Sequence, residues 1–147
     1  MVLDYYQRQK RLLQHDYQSD LEKVLFIFSL SIKHENFTIR DIQRLVIPPL
    51  KLNQYRIYVD EEVPLCYASW AMLPEEAEEG YKNKTRKIQP EDWNSGDNLW
   101  LIDVICPFGG TRIAIKRLDN LRKELGLPNK VNFKRLGSNR VNNVERI

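Results

Sequence analysis

The sequence predicts an α+β protein in which helices pack on a mostly antiparallel central sheet. Three observations carry that prediction. Two runs rich in β-branched and aromatic residues, Tyr55–Val59 and Leu65–Leu73, flank the acidic stretch Asp60-Glu61-Glu62 and read as a hairpin. Leu99–Ile105 is apolar except for Asp103, the pattern of a central strand. Segments with helix-start signals lie before, between and after these strands.

The elements follow in order. Residues 1–18 are polar and aromatic and read as a loose N-terminal helix. Ser19-Asp20-Leu21-Glu22 is a capping-box pattern that opens a helix. That helix carries Val24, Leu25, Phe26, Ile27, Phe28 and Leu30, apolar on nearly every face, and is expected to be buried. Thr38, with Asp41 three positions on, starts a second helix, which Pro48 and Pro49 are expected to stop. Pro74 followed by acids opens a short helix to about Tyr81, and Pro90 to Asp97 is a polar loop. Beyond Ile105, Gly109-Gly110 form a turn. A helix then follows with Leu118, Leu121 and Leu125 on one face, closed by Gly126. Val131–Leu136 and Val141–Arg146 read as two final strands. One domain over 1–147 is expected, with a single parallel crossover in the sheet. Acyl-CoA N-acyltransferases of the GNAT kind have this order, a likeness of fold alone.

Composition narrows the function. A net charge of +3 is too small to announce a nucleic-acid partner. Base nevertheless dominates after Pro107, so one end of the molecule offers a basic face to an acidic partner. Val24 to Ile32, the longest apolar stretch, is far short of the roughly 20 residues of a membrane span. The N-terminus has no apolar signal-peptide core, so a soluble, cytoplasmic protein is expected. Cys66 and Cys106 read as buried free thiols, without the spacing of a zinc site, and no metal is expected. Phosphate-loop, dinucleotide, zinc-protease and serine-hydrolase motifs are all missing.

What remains is single polar residues in apolar company. Asp103 in a strand must be paired or cost several kcal/mol in desolvation. It reads as a structural acid held by backbone N–H groups or an arginine, or as a working group. His34 follows the first buried helix and by itself reads as a surface or capping histidine. Beside Asp103 it would become a base with a fixed tautomer. His15 reads as solvated. Gly109-Gly110 open a helix whose free N–H groups suit a phosphate, although a tight turn needs glycines anyway. Trp70, Trp93 and Trp100 read as core, or as walls of a lipid groove.

Taken together, these segments resemble the RTX toxin-activating lysine acyltransferases. Ser31-Ile32-Lys33-His34 resembles the S-x-x-H of that family, and Asn53-Gln54-Tyr55 follows at a similar spacing. Pro64 to Ala71 resembles its P-x-A-Y-x-x-W-A strand. The strongest likeness is Glu91-Asp92-Trp93-Asn94-Ser95-Gly96-Asp97, then Trp100-Leu101-Ile102-Asp103, then Pro107-Phe108-Gly109. It covers roughly residues 20 to 125. Three features depart from the pattern: Glu35 where arginine is usual, Val104-Ile105-Cys106 before Pro107, and an end at Ile147 without the usual tail.

The resemblance implies a GNAT-like enzyme that moves a fatty acyl group from acyl carrier protein to internal lysines of an RTX-type protoxin. It implies His34 and Asp103 as the catalytic pair and Ser31 as a supporting residue. The carrier's phosphopantetheine thioester would be the co-substrate, with no bound cofactor. Gly109, Gly110 and Thr111 are then expected at the acyl-phosphopantetheine arm, and Arg112, Lys116 and Arg117 at the acidic carrier. A homodimer is left open. The rival readings are an acetyl-CoA-dependent N-acetyltransferase, which Gly109-Gly110-Thr111 fits poorly, and a non-enzymatic basic binding module, which leaves Asp103 unexplained.

Overall fold

The computed structural model describes residues 17–134 and 141–145, an α+β arrangement around a five-stranded sheet. The loose helix expected over 1–18 falls almost wholly outside the described residues. So do His15, and Leu136 and Arg146 at the ends of the last two expected strands.

Helix α1 spans Asp20–Ser29, and Ser19 caps it by accepting the Glu22 N–H at 3.2 Å. The Glu22 carboxylate takes the Gln18 N–H, one residue before the position a reciprocal capping box would use. The helix is not buried all round. Val24, Ile27 and Phe28 are buried, whereas Leu25 and Leu30 are more than one-third exposed, because α1 lies on one face of the sheet. A single 3-10 turn, Ile32–His34, follows.

Helix α2, Ile39–Leu45, opens on the expected Thr38–Asp41 capping box. Pro48 and Pro49 do more than stop it. They occupy the first turn of helix α3, Ile47–Leu52, where a missing N–H costs nothing.

Strands β1 (Tyr55–Asp60) and β2 (Val63–Leu73) form the hairpin. Glu61 and Glu62 both have positive φ, 43° and 69°, as a two-residue hairpin turn requires. Helix α4 covers Glu75–Asn83, β3 covers Asn98–Ile105, and helix α5 covers Thr111–Glu124. Strands β4 (Lys130–Lys134) and β5 (Val141–Glu145) complete the sheet in the order β1-β2-β3-β4-β5. Every pairing is antiparallel except β3 with β4, which α5 connects as the parallel crossover. On α5, Leu118 is buried and Leu121 half-buried, but Leu125 is half exposed at the C-cap. Gly126 then reverses the chain at φ 65°.

Two features of β3 place the site. The first is a bulge. Trp70 pairs with Leu101 and Ser69 with Asp103, so Ile102 is an extra residue on β3. Alternation slips there. Leu99, Leu101 and Val104 pack toward α5, while Ile102 joins the opposite face with Ala71 and Trp100. Ile105 lies on that opposite face too, against α1 and Tyr67. The bulge therefore turns Asp103 toward the α1 side. The second feature is a short seam. Strands β3 and β4 pair only at Trp100–Asn132 and Leu101–Phe133.

The loop before β3 is a structural joint. Trp93 is fully buried, and its Nε1–H donates to the Arg44 carbonyl at 2.8 Å. Its carbonyl accepts from the Met72 N–H at 2.7 Å and from the Gln54 side chain at 3.0 Å. Ser95 and Gly96 N–H groups both reach the Met72 carbonyl. Gly96 sits so close to the backbone that an added Cβ would lie 2.2 Å from the Pro74 nitrogen.

Candidate active site

Residues 69 positions apart meet at the bulge. The His34 Nε2 lies 3.1 Å from the Asp103 Oδ1, and both side chains are only 8% exposed. The Ser31 Oγ lies 2.6 Å from the His34 Nδ1. The S-x-x-H spacing does this locally, since one 3-10 turn brings residue i over residue i+3. Phe28 and Phe37 meet the imidazole at steep ring angles, with centroids at 5.0 and 6.1 Å, and fix its plane.

This geometry sets the tautomer. An ionised carboxylate only accepts, so the His34 Nε2 carries the ring proton and donates it to Asp103. The Nδ1 is then the basic nitrogen, and the Ser31 hydroxyl donates to it. Neither an arginine nor a backbone N–H among the described residues holds the Asp103 carboxylate, so the support expected for a purely structural acid is missing there.

The pair opens on a cavity of about 870 Å³. Its polar lining includes Ser31, His34, Asp103, Cys106 and Thr111. Its apolar walls include Trp70, Leu99, Leu101, Leu118, Val131 and Phe133. β3 beyond its short seam with β4, Ile102–Ile105, lines it as well. Such a space, mostly apolar with a few convergent polar groups, suits a long hydrocarbon tail with a reactive head. Trp70 is thus a wall, whereas Trp93 and Trp100 are fully buried core.

Thr111 lines the cavity, but Gly109 and Gly110 do not. The two glycines make the left-handed turn into α5, at φ 91° and 88°, and the Gly109 N–H is spent on the Cys106 carbonyl. Arg112, Lys116 and Arg117 are exposed along α5, with Arg117 stacked 5.4 Å over the Tyr58 ring.

Cys66 and Cys106 are neighbours, one step beyond the Tyr67–Ile105 pair. The neighbouring Cys66 side chain holds the Cys106 thiol below its usual range against the opposing effect of burial, and Thr111 assists. Cys66 is pushed far up by Cys106 beside it and then by burial. Cys106, expected to be buried, is in fact partly exposed in the cavity lining.

Sequence reasoning gave no role to Tyr67 or Ser69. Both are fully buried on the Asp103 face of β2, with Ser69 directly opposite Asp103. Two hydroxyls alternating in an otherwise apolar strand were the signal available.

Comparison with known proteins gives the family of the chain. The family model described as HlyC, the RTX toxin acyltransferase family, matches residues 13–147. The RTX-II toxin-activating lysine-acyltransferase ApxIIC of Actinobacillus pleuropneumoniae is 34% identical over 107 residues, 73% of this chain and 66% of that protein. The protein-lysine myristoyltransferase RtxC of Kingella kingae is 35% identical over 103 residues, 70% of this chain and 62% of that protein. The protein-lysine myristoyltransferase HlyC of Escherichia coli is 37% identical over 89 residues, 60% of this chain and 52% of that protein. The matches therefore span about half to two thirds of the length of these relatives.

Proposed function

We propose that this chain, which belongs to the RTX toxin acyltransferase family, is a protein-lysine N-acyltransferase built as one domain. In this reading it takes a fatty acyl group from acyl carrier protein and places it on internal lysines of an RTX-type protoxin in the cytoplasm. The observation that carries the reading is the Ser31–His34–Asp103 chain of contacts lining a mostly apolar cavity.

A lysine ammonium must lose a proton before its nitrogen can attack. The His34 Nδ1 receives that proton through the Ser31 hydroxyl, which already donates to it. Asp103 holds Nε2 and stabilises the imidazolium. The lysine Nε then bonds to the thioester carbonyl carbon. The C–S bond breaks, the departing thiolate takes the proton held on His34, and the nitrogen sheds its second proton to water as the amide forms. The apolar walls hold the acyl tail and keep water from the thioester.

Thr111 and the open N–H groups of the first turn of α5 suit the phosphate of the carrier's arm, with Gly109 and Gly110 shaping the turn. The exposed Arg112, Lys116 and Arg117 suit an acidic carrier and act mainly on the rate of encounter.

The test is direct. Purified protein is mixed with radiolabelled myristoyl-acyl carrier protein or acetyl-CoA and a protoxin lysine peptide, and amide-linked label is counted. Label from the carrier alone is expected. Label from acetyl-CoA alone, or from neither, would sink the reading.

A further inference from the structure

Behind the Asp103 carboxylate lies a small polar patch that the reaction above does not use. The Asp103 Oδ2, the Tyr67 hydroxyl and the Ser69 Oγ are all buried, and none has a hydrogen-bond partner among the described residues. Ser69 is the direct cross-strand partner of Asp103, and Tyr67 lies two residues along β2 on the same face. Facing residues of an antiparallel pair have Cβ atoms about 5 Å apart. The bulge at Ile102 brings the carboxylate to that face.

Leaving a buried polar group unpaired costs about 1–3 kcal/mol. Three such oxygens gathered in one place imply a shared partner rather than three separate losses. Their chemistry is complementary: two hydroxyls can donate, and a carboxylate oxygen accepts. One water would satisfy all three, accepting from Tyr67 and Ser69 and donating to Oδ2.

We propose that Tyr67 and Ser69 are positioning residues for Asp103, and that with its Oδ2 they form a buried water site that aims Oδ1 at His34. The Tyr67 phenol is pushed up first by burial and then by the Asp103 charge, against a lowering effect of the nearby Ser69 side chain, so both groups lie close to it although neither meets hydrogen-bond geometry with it. Neither Tyr67 nor Ser69 lines the cavity. They touch no substrate and act through Asp103 alone. The inference rests on the catalytic reading of His34 and Asp103 for its kinetic consequence, but not for its structural one.

The test uses the full chain, with Tyr67→Phe, Ser69→Ala and His34→Ala beside the parent. Acyl transfer gives kcat and KM. The imidazole N–H resonances are read in ring-labelled protein, which has only two histidines to assign. Tyr67→Phe is expected to lower kcat about tenfold, the worth of one hydrogen bond, leave KM unchanged and move the His34 Nε2–H resonance. Ser69→Ala should move both readouts in the same direction by less. If Tyr67→Phe fails to fold, Ser69→Ala carries the test. A His34 resonance at its parental position in every folded variant would overturn the proposal, as would a change in KM alone. A fully active His34→Ala sinks the catalytic reading instead, while the resonance still reports on the water site.

Discussion

Asp92 and Asp103 are both acids in apolar surroundings, 4% and 8% exposed. Around Asp92 both oxygens are engaged. Oδ1 takes the Arg86 guanidinium at 2.9 Å, and Oδ2 takes the Gln89 N–H at 2.8 Å. Around Asp103 one oxygen meets a histidine and the other meets nothing among the described residues. The loop around Asp92 turns its backbone groups toward β2 and α2, and Asp92 is not among the residues that line the large cavity on which Asp103 opens. A fully satisfied carboxylate is a joint, and there is little left for it to do. A carboxylate with one histidine and spare hydrogen-bonding capacity still has work to perform.

The largest expected difference follows from that contrast. His34→Ala should cut acyl transfer per folded molecule by roughly a hundred- to ten-thousandfold, the range of a positioned base, and should also lower the melting temperature, because it leaves the buried Asp103 carboxylate without its partner. Asp103→Asn should also cut transfer severely while the fold survives, since an amide cannot stabilise an imidazolium and selects the wrong tautomer. Asp92→Ala should cost stability alone. It strands the Gln89 N–H and should cost about 2–3 kcal/mol of stability, with specific activity per folded molecule retained. Melting curves beside single-turnover transfer separate the two kinds of aspartate. A fully active His34→Ala protein would erase the distinction.

The joint can be tested more sharply at Gly96. A methyl group there would sit 2.3 Å from the Leu73 carbonyl carbon and oxygen, backbone atoms that cannot swing aside. Gly96→Ala should therefore cost about 3 kcal/mol, the upper range for overpacking, and lower the melting point by roughly 6–12 °C. A loss below about 1 kcal/mol would mean the loop is looser than its hydrogen bonds imply.

Much of this was legible in the sequence. Both hairpin strands, the central strand, the capped helix starts and the crossover follow from period, caps and turns, which are local signals. The errors share one cause. Calling α1 buried all round, and reading Pro48-Pro49 only as a stop, judged each segment without its neighbours. The His34–Asp103 contact was expected from resemblance, but no local pattern places it. It depends on a bulge defined by two strands together, and one extra residue at Ile102 decides which face Asp103 takes. The polar patch of Tyr67 and Ser69 was invisible for the same reason, because cross-strand register is not written in either strand alone. The glycine turn was read correctly as a turn, yet only Thr111 beside it reaches the cavity.

The smallest expected effect lies at the polar lining of the cavity and concerns the two thiols. The Cys66 thiol reaches the Gly109 carbonyl at 3.9 Å, and its nearness together with the Thr111 side chain holds the Cys106 thiol below its usual range while Cys66 is pushed up. The sign is simple. A thiol held below its usual range carries more thiolate at neutral pH, and thiolate is the reactive form. Cys106 is also the more exposed of the two. Brief alkylation with iodoacetamide at pH 7 should therefore label Cys106 several times faster than Cys66, read by mass spectrometry of the digested protein. As pH rises, Cys106 labelling should level off below the pH at which an ordinary thiol does, and Cys66 should stay slow throughout. Thr111→Val removes one donor and should shift the Cys106 profile upward without moving that of Cys66. Equal rates for the two cysteines would show that the polar lining gives no preference to charge. The polar character of this site would then end at His34 and Asp103.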